Sequence, residues 1–341
     1  MFQSDTHLPH VLPPAAYHDP AQFEAETARL LWPAWHCVAS TAGFPPGEVR
    51  RAIDLLGVPL AIERRADDIV VRLDDSTPAR RQRIRTGAGG VRLRTGRVGQ
   101  LVFVCLDPAG PTLAEHLGVE RDFLADLFGP HWSPCLASFR ELPCNWKLLV
   151  ENVLENYHLE EVHAATFKHY PPPEACVHEM TPGGSSYTEV LPPDHSHLHD
   201  SGGLVAGLLG VTPEPAYRHV AVHPTFTAGR MGLVNWAHCV LPLGPGRAMN
   251  AYWFFQLASG RRGPVAAVAA AGLRRWGRRF FGTLLDEDAA VLPDVQTGLQ
   301  APSRPTGGLI SAREERIFHF QRHVLERTGA VPAANAMALT H

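Results

Sequence analysis

Residues Asn145-Trp146-Lys147-Leu148-Leu149-Val150-Glu151-Asn152-Val153-Leu154-Glu155-Asn156-Tyr157-His158-Leu159-Glu160-Glu161-Val162-His163 decide how this chain reads. Apolar side chains recur at Trp146, Leu149, Val150, Val153, Leu154 and Tyr157, the i, i+3, i+4, i+7 spacing of a helix with one face in a core. A neighbouring stripe carries Glu151, Asn152, Glu155 and His158, which puts metal- and proton-competent groups beside the buried face. His163 follows five residues after His158, about 140° further round an ideal helix. The two imidazoles can share one ion only if the helix ends or bends near Leu159. A single histidine in such a place reads as part of a solvated polar side; the complete string is harder to read that way.

Asn145-Trp146-Lys147, then Glu151-Asn152, then Glu155-x-x-His158-x-x-x-x-His163, resembles the mononuclear-iron motif of the Rieske-type ring-hydroxylating oxygenases, large (α) subunit. The resemblance implies that His158 and His163 bind non-haem Fe(II). It also implies that Glu155 links the iron to the redox cluster of a neighbouring subunit, with Asn152 a second catalytic candidate on the same stripe. Two histidines and one carboxylate on one face of a metal leave positions open for O₂ and substrate.

The third ligand is read from Leu284–Val295. Leu284, Val291, Leu292 and Val295 are predicted to share one helix face, on which Asp288 is the sole acid, while Asp286, Glu287 and Asp294 point elsewhere. An ionised carboxylate on a buried stripe is costly unless paired or bound to metal. The competing reading is a helix-capping acid, since three acids cluster there. Glu287, Asp288, Val295, Gln296, Gly298 and Leu299 also resemble the family's C-terminal iron motif, whose Asp completes the triad. Pro293 is expected to kink this helix.

Composition sets the outer limits. At 341 residues the chain is long enough for two domains and a sizeable core. Its net charge of −3 and dispersed arginines give no nucleic-acid footprint. Lys147 and Lys168 are the only lysines, so a lysine inside Asn-Trp-Lys stands out. No apolar run reaches 18 residues, and the first residues lack a signal-peptide pattern, so no membrane span and a cytoplasmic location are expected. The six cysteines are scattered without C-x-x-C or C-x-H and read as core thiols.

Residues 1–34 are expected to form an arm and a leading helix, opened by Asp19-Pro20 as N-cap and first helical residue with Gln22 completing a capping box. Residues 35–108 read as short strands, including a hairpin from Pro59–Arg65 to Ile69–Leu73. In the resembling family this region holds a [2Fe–2S] cluster on Cys-x-His and Cys-x-x-His. Here Thr77-Pro78-Ala79-Arg80 stands in place of the first ligand pair, and Gly87–Arg94 offers no Cys or His in place of the second. Between Cys37 and Cys105 there is neither cysteine nor histidine, so no [2Fe–2S] cluster is expected in this chain.

Residues 109–341 read as the catalytic part. Residues 168–215 look like long loops around one strand, Tyr187–Leu191, and the histidines between Asp194 and Asp200 read as a solvated segment. Leu233–Leu241 and Ala248–Leu257 are the clearest strands, and Pro264–Leu285 is a helix. Ser311-x-x-Glu314 reads as a capping box opening a helix to Arg327. The fold implied is α+β: a degenerate Rieske-like small β-domain, plus a helix-grip (START/Bet v1-like) domain whose curved antiparallel sheet wraps a long helix. Trp236, His238, Trp253 and Phe255 are its candidate pocket walls.

The implied function is an oxygenase subunit that hydroxylates or demethylates a small aromatic or methylated-amine substrate with O₂. With no cluster of its own it would take electrons from a cluster-bearing α-subunit, fed by a reductase or ferredoxin, in a trimer-based homo- or hetero-oligomer. A stand-alone iron enzyme needing no external electrons, and a non-catalytic or small-molecule-binding subunit, are the alternatives.

Overall fold

Asn145 opens the decisive helix by accepting a hydrogen bond from the Lys147 backbone N–H at 3.0 Å, while its amide donates to Pro245 O at 2.7 Å. The computed structural model describes residues 7–9, 11–40, 50–65, 68–79, 93–156, 158–163, 166, 176–190, 197–214, 216–301, 309–311 and 314–329. In chain order the elements are β1 (His7–Pro9), α1 (Pro20–Glu26), β2 (Trp35–Ser40), β3 (Arg50–Leu55), β4 (Val58–Arg65), β5 (Asp68–Leu73), β6 (Arg94–Val98) and β7 (Leu101–Cys105). There follow α2 (Leu113–Leu117), α3 (Arg121–Leu127), β8 (Trp132–Leu142), α4 (Trp146–Leu154), α5 (His158–Val162), β9 (Cys176–Thr181), β10 (Gly184–Val190) and α6 (His197–Leu209). The chain closes with β11 (Ala216–Val222), β12 (Phe226–Met231), β13 (Val234–Gly244), β14 (Arg247–Leu257), α7 (Pro264–Gln300), β15 (Leu309–Ser311) and α8 (Glu315–Thr328).

The organising layer is a seven-stranded antiparallel sheet in the order β8-β14-β13-β12-β11-β10-β9. The chain leaves it at one edge, β8, runs through α4 and α5, and returns at the opposite edge, β9. The segment between the two edge strands is thereby laid across the sheet. This mixed helix–sheet arrangement is of the helix-grip type expected from the sequence. Two three-stranded sheets, β2-β7-β6 and β3-β4-β5, share one apolar core with the large sheet's other face, through Phe103, Phe226, Trp253 and Phe255.

Helix α4 is buried more completely than a one-faced pattern predicts. Trp146, Lys147, Leu148, Leu149, Val150, Glu151 and Leu154 are all buried. Sheet, α7 and α8 surround it, so its polar residues are held by side-chain partners rather than by water. Trp146 Nε1 donates to Glu26 Oε2 at 2.8 Å, and Glu151 accepts from the Tyr17 hydroxyl at 2.6 Å and from Gln321 at 3.0 Å.

Several sequence expectations need correcting. Residues 176–209 contain two paired strands and a helix in place of one strand in long loops. Much of this β-hairpin lies against other elements, which no local periodicity announces. Asp194–Ser196 lie outside the described residues, and His197–Asp200 open α6. Pro264–Gln300 is one helix of 37 residues that continues through Pro293. Its buried stripe is Phe281, Leu285, Asp288, Leu292, Gln296 and Leu299, whereas Val291 and Val295 are exposed. The expected stripe was rotated, because Gln296 is buried as a ligand of the Asn145 N–H (2.7 Å) and could not be told from a surface residue. Asp288 stays on the stripe, mid-helix, far from any capping position.

Ser311 ends a strand paired with β1, and α8 starts at Glu315 with no side-chain cap. Asp19 does cap α1, accepting from Ala21 N at 2.9 Å, but Gln22 donates to Glu26 and Thr328 rather than closing a box. Arg80–Arg92, which include most of the replaced cluster loops, and the tail after Gly329 lie outside the described residues.

Candidate metal centre

Helix α4 stops at Leu154, and Glu155 adopts an extended backbone (φ −121°, ψ 173°), before a new helical turn begins at His158. That break lies ahead of both histidines: His158 opens α5 and His163 follows its last residue, its N–H still bonded to Leu159 O at 3.1 Å, so the bend expected near Leu159 is not what brings them together. His158 and His163 rings lie 5.1 Å apart, and Asp288 from α7 approaches both. His163 Nε2 is 3.2 Å and His158 Nε2 3.8 Å from Asp288 Oδ1. One ligand atom from each of the three residues falls within 4.8 Å of the other two, and this is the sole such cluster of His, Cys, Asp and Glu among the described residues.

The other nitrogen of each ring is also engaged. His163 Nδ1 lies 2.8 Å from Glu287 Oε2, which in turn accepts from Thr166 Oγ1 at 2.9 Å. His158 Nδ1 is hydrogen-bonded to Glu155, whose carboxylate also accepts from the His158 backbone N–H at 3.2 Å. An ionised carboxylate only accepts, so each ring carries its proton on Nδ1 and turns the Nε2 lone pair inward. Carboxylates behind histidines are the usual outer support of a metal site. Asn152 donates to Asp288 Oδ1 at 3.1 Å and fixes the third carboxylate.

Burial pushes the His163 imidazole down, but Asp288 and then Glu287 outweigh it and hold its pKa above the ordinary 6.5. The two carboxylates that flank His163 favour a positive charge at this point. The donor set fits a divalent iron: two imidazole nitrogens and one carboxylate oxygen, each oriented by an outer partner.

The cluster sits in the wall of a cavity of about 630 Å³. Asn152, Glu155, His158, His163 and Asp288 all line it, together with apolar residues that include Trp236, Tyr252, Phe254, Trp276 and Phe281. Gly229 lies across from Trp236 in the sheet, and a Cβ there would stand 2.7 Å from the indole, so glycine makes room for that ring. Phe254 stacks on Phe281 of α7 at 4.0 Å.

Of the four expected wall residues, Trp236 alone lines the cavity. Trp253 and Phe255 are fully buried on the opposite face, in the core shared with the small sheets. The alternation along β14 was legible, but both faces are covered, so apolarity could not say which faced the cavity. His238 lies behind Tyr252, stacked at 4.2 Å, with its nitrogens 3.0 Å from Thr227 Oγ1 and 2.6 Å from Asn250 Oδ1. Burial pushes its pKa down to about 4, so it is a neutral core histidine. Tyr187, Tyr217, His219 and Arg316 line the cavity without having been singled out from sequence, and Glu287 was assigned to the wrong side of its helix. Its adjacency to Asp288 and its place in the stretch resembling the C-terminal iron motif are the signals that point to it. Glu155 turns inward onto His158, with 6% of its side chain exposed.

Comparison with known proteins agrees with this architecture. Residues 119–330 match the family described as ring hydroxylating alpha subunit (catalytic domain). No curated protein matches by sequence. Among solved structures, the quaternary ammonium Rieske monooxygenase CntA in complex with an inhibitor aligns with a TM-score of 0.67 at 15% identity, covering 94% of this chain and 96% of that one. Its complex with L-carnitine gives 0.65 at 15%, covering 93% and 95%. Naphthalene 1,2-dioxygenase from Rhodococcus sp. bound to indole gives 0.59 at 14%, covering 92% and 94%. At these identities the structural likeness establishes the fold, while the family match spans most of the chain. The chain therefore belongs to the ring-hydroxylating oxygenase α-subunit family, a family of non-haem iron oxygenases.

Proposed function

We propose that His158, His163 and Asp288 hold a mononuclear Fe(II), and that the protein oxygenates a small aromatic or methylated-amine substrate in the adjoining cavity. The observation that carries this reading is the convergence of the three side chains within 4.8 Å, with both Nδ1 atoms occupied by carboxylates. A ferrous ion held by two histidines and a carboxylate supplies open positions at which O₂ is activated beside substrate. Around it, Asn152 orients Asp288, Glu287 and Glu155 fix the imidazoles, and the aromatic wall excludes water from the reacting carbon. Relatives of the same fold have been seen with L-carnitine and with indole, which is consistent with either substrate class.

Electrons enter from outside the chain, because residues 38–104 contain no cysteine or histidine to ligate a [2Fe–2S] cluster. His36 supports this: its nitrogens are spent on Thr225 Oγ1 (3.1 Å) and Leu31 O (2.8 Å) inside the core. A cluster-bearing α-subunit in a mixed, trimer-based ring, served by a reductase or ferredoxin, is the donor proposed. Metal and sulfide analysis of the purified protein, followed by oxygen uptake with and without such a subunit, tests the reading. About one iron per chain, no sulfide, and turnover only in the mixed oligomer are expected. Turnover by the isolated protein with Fe(II) alone would replace this reading with the stand-alone enzyme.

A further inference from the structure

Arg316 is the cationic side chain of the cavity wall, on α8 and 2% exposed. Its Nε donates to Ser185 Oγ at 3.0 Å, and Nη1 donates to Leu154 O at 3.4 Å and to His219 Nδ1 at 3.2 Å. Nη2 has no hydrogen-bond partner among the described residues, and no described carboxylate lies within ion-pair distance of the guanidinium. Its neighbour Glu315 is engaged by His178, and Glu189 accepts from the Tyr187 hydroxyl at 3.0 Å. Burial lowers the Arg316 pKa to about 10, so the group remains charged at neutral pH.

His219 adds a second donor. Its Nδ1 accepts from Arg316, so the neutral ring must carry its proton on Nε2. Burial and the Arg316 charge keep that ring neutral by pushing its pKa well below 6.5. Nε2 likewise lacks a partner among the described residues, and His219 also lines the cavity. A buried cation and a buried N–H are both unspent on residues that line one cavity and form an incomplete polar network; both atoms are closed to solvent, so a ligand meets them only as the wall side chains part. An anion completes it.

We propose that Arg316 and His219 form a carboxylate-binding subsite that anchors the acidic end of the substrate. The substrate body then lies along Trp236, Tyr252 and Phe254, toward His158, His163 and Asp288, which line the same cavity. The bond from Arg316 to Leu154 O fixes the anchor to the last residue of α4, immediately before the segment that carries Glu155 and His158. The anchor and the candidate metal ligands are thus joined through one wall of the cavity. The inference rests on the oxygenase reading for its catalytic meaning, but anion binding itself does not depend on turnover. A planar aromatic acid and a betaine share the carboxylate, and the aromatic wall accommodates either a ring or a trimethylammonium group.

Calorimetric titration of the iron-loaded protein with benzoate, benzamide, trimethylglycine and choline tests this. At least one acid is expected to bind about tenfold or more tightly than its uncharged or carboxylate-free counterpart. Which acid does so distinguishes the two substrate classes. Arg316→Gln should remove that preference and leave benzamide binding unchanged, with Arg316→Lys retaining part of it. If Arg316→Gln unfolds, the acid-against-amide comparison in the unaltered protein, repeated after chelation of the iron, decides: a preference that persists supports the subsite and one that vanishes overturns it. Equal binding of acid and counterpart overturns the subsite. So does an acid preference that survives Arg316→Gln but vanishes on chelating the iron, since the acid would then be a metal ligand. Acid selectivity in a protein that fails to hold iron or consume O₂ would instead defeat the oxygenase reading and leave the subsite standing.

Discussion

Lys147 Nζ lies 2.7 Å from Glu26 Oε1 and 2.9 Å from Glu26 Oε2, with neither side chain exposed to solvent. The ammonium also faces the Tyr17 ring, 5.2 Å from its centroid, and Trp146 donates to the same carboxylate. The Asn-Trp-Lys string is thus an internal joint that fastens α4 to the leading helix, and it acts on the metal centre only by holding α4 in place.

Removing one half of that joint leaves an uncompensated buried charge. Glu26→Ala is expected to destabilise the protein by about 3–5 kcal/mol, whereas Glu26→Leu combined with Lys147→Met should recover most of the loss. Urea unfolding of both variants measures this. A single variant within about 0.5 kcal/mol of the unaltered protein would mean that solvent reaches Lys147.

The carboxylates behind the histidines should act on metal affinity without being ligands. Glu287→Gln is expected to weaken iron binding by about 10- to 100-fold, and Asp288→Ala to strip the metal while the fold persists. Chelator competition gives the affinities and circular dichroism the fold. Equal losses from the two variants would make Glu287 a ligand.

Iron and a proton compete for His163. Its folded pKa is raised above 6.5, so in the metal-free protein its charge contributes stability that is complete below 6.5 and lost as pH rises through the raised value. Metal binding runs the other way. Affinity should be level above the raised value and fall by about tenfold per pH unit beneath it. Chelator competition across the imidazole range reads the slope, and a flat profile would show that His163 is already neutral in the metal-free protein.

Trp236 and Trp253 separate cavity from core. Trp236→Ala should change the affinity of an aromatic ligand with a modest effect on stability. Trp253→Ala should cost about 3–5 kcal/mol and leave ligand affinity in the folded fraction unchanged. Parallel denaturation and ligand titration check both; a ligand effect confined to Trp253→Ala would reverse the assignment of faces.

Glu155 is expected to matter for turnover more than for iron retention. Glu155→Gln keeps a hydrogen-bonding group beside His158 Nδ1 but loses the charge that the proposed electron route from a partner would use. Iron content should remain near that of the unaltered protein while oxygen uptake in the mixed oligomer is lost. Undiminished uptake would remove Glu155 from that route.

How far the sequence reached depended on whether a residue's partner was local. The five-residue spacing of His158 and His163 asks for a helix end or bend near Leu159, but the chain breaks at Glu155, ahead of both, and Leu159 lies within α5. The hairpin of β4 and β5 follows from turn residues close in sequence. Asp288 was identifiable because an acid on an apolar stripe is costly, even though the stripe itself had been rotated.

Sequence by itself named the residues of the candidate metal centre and determined the absence of cysteine or histidine between residues 38 and 104, because both are matters of which groups exist and at what spacing. Tertiary structure decided the rest. Which face of β14 meets the cavity depends on the small sheets covering Trp253 and Phe255, since a strand apolar on both sides carries no local mark of its orientation. Glu287 behind His163, and Arg316 beside His219, are brought together across more than 90 residues of chain. Such pairings come from the packing of α7 and α8 against the sheet, and no periodicity in either helix encodes the partner.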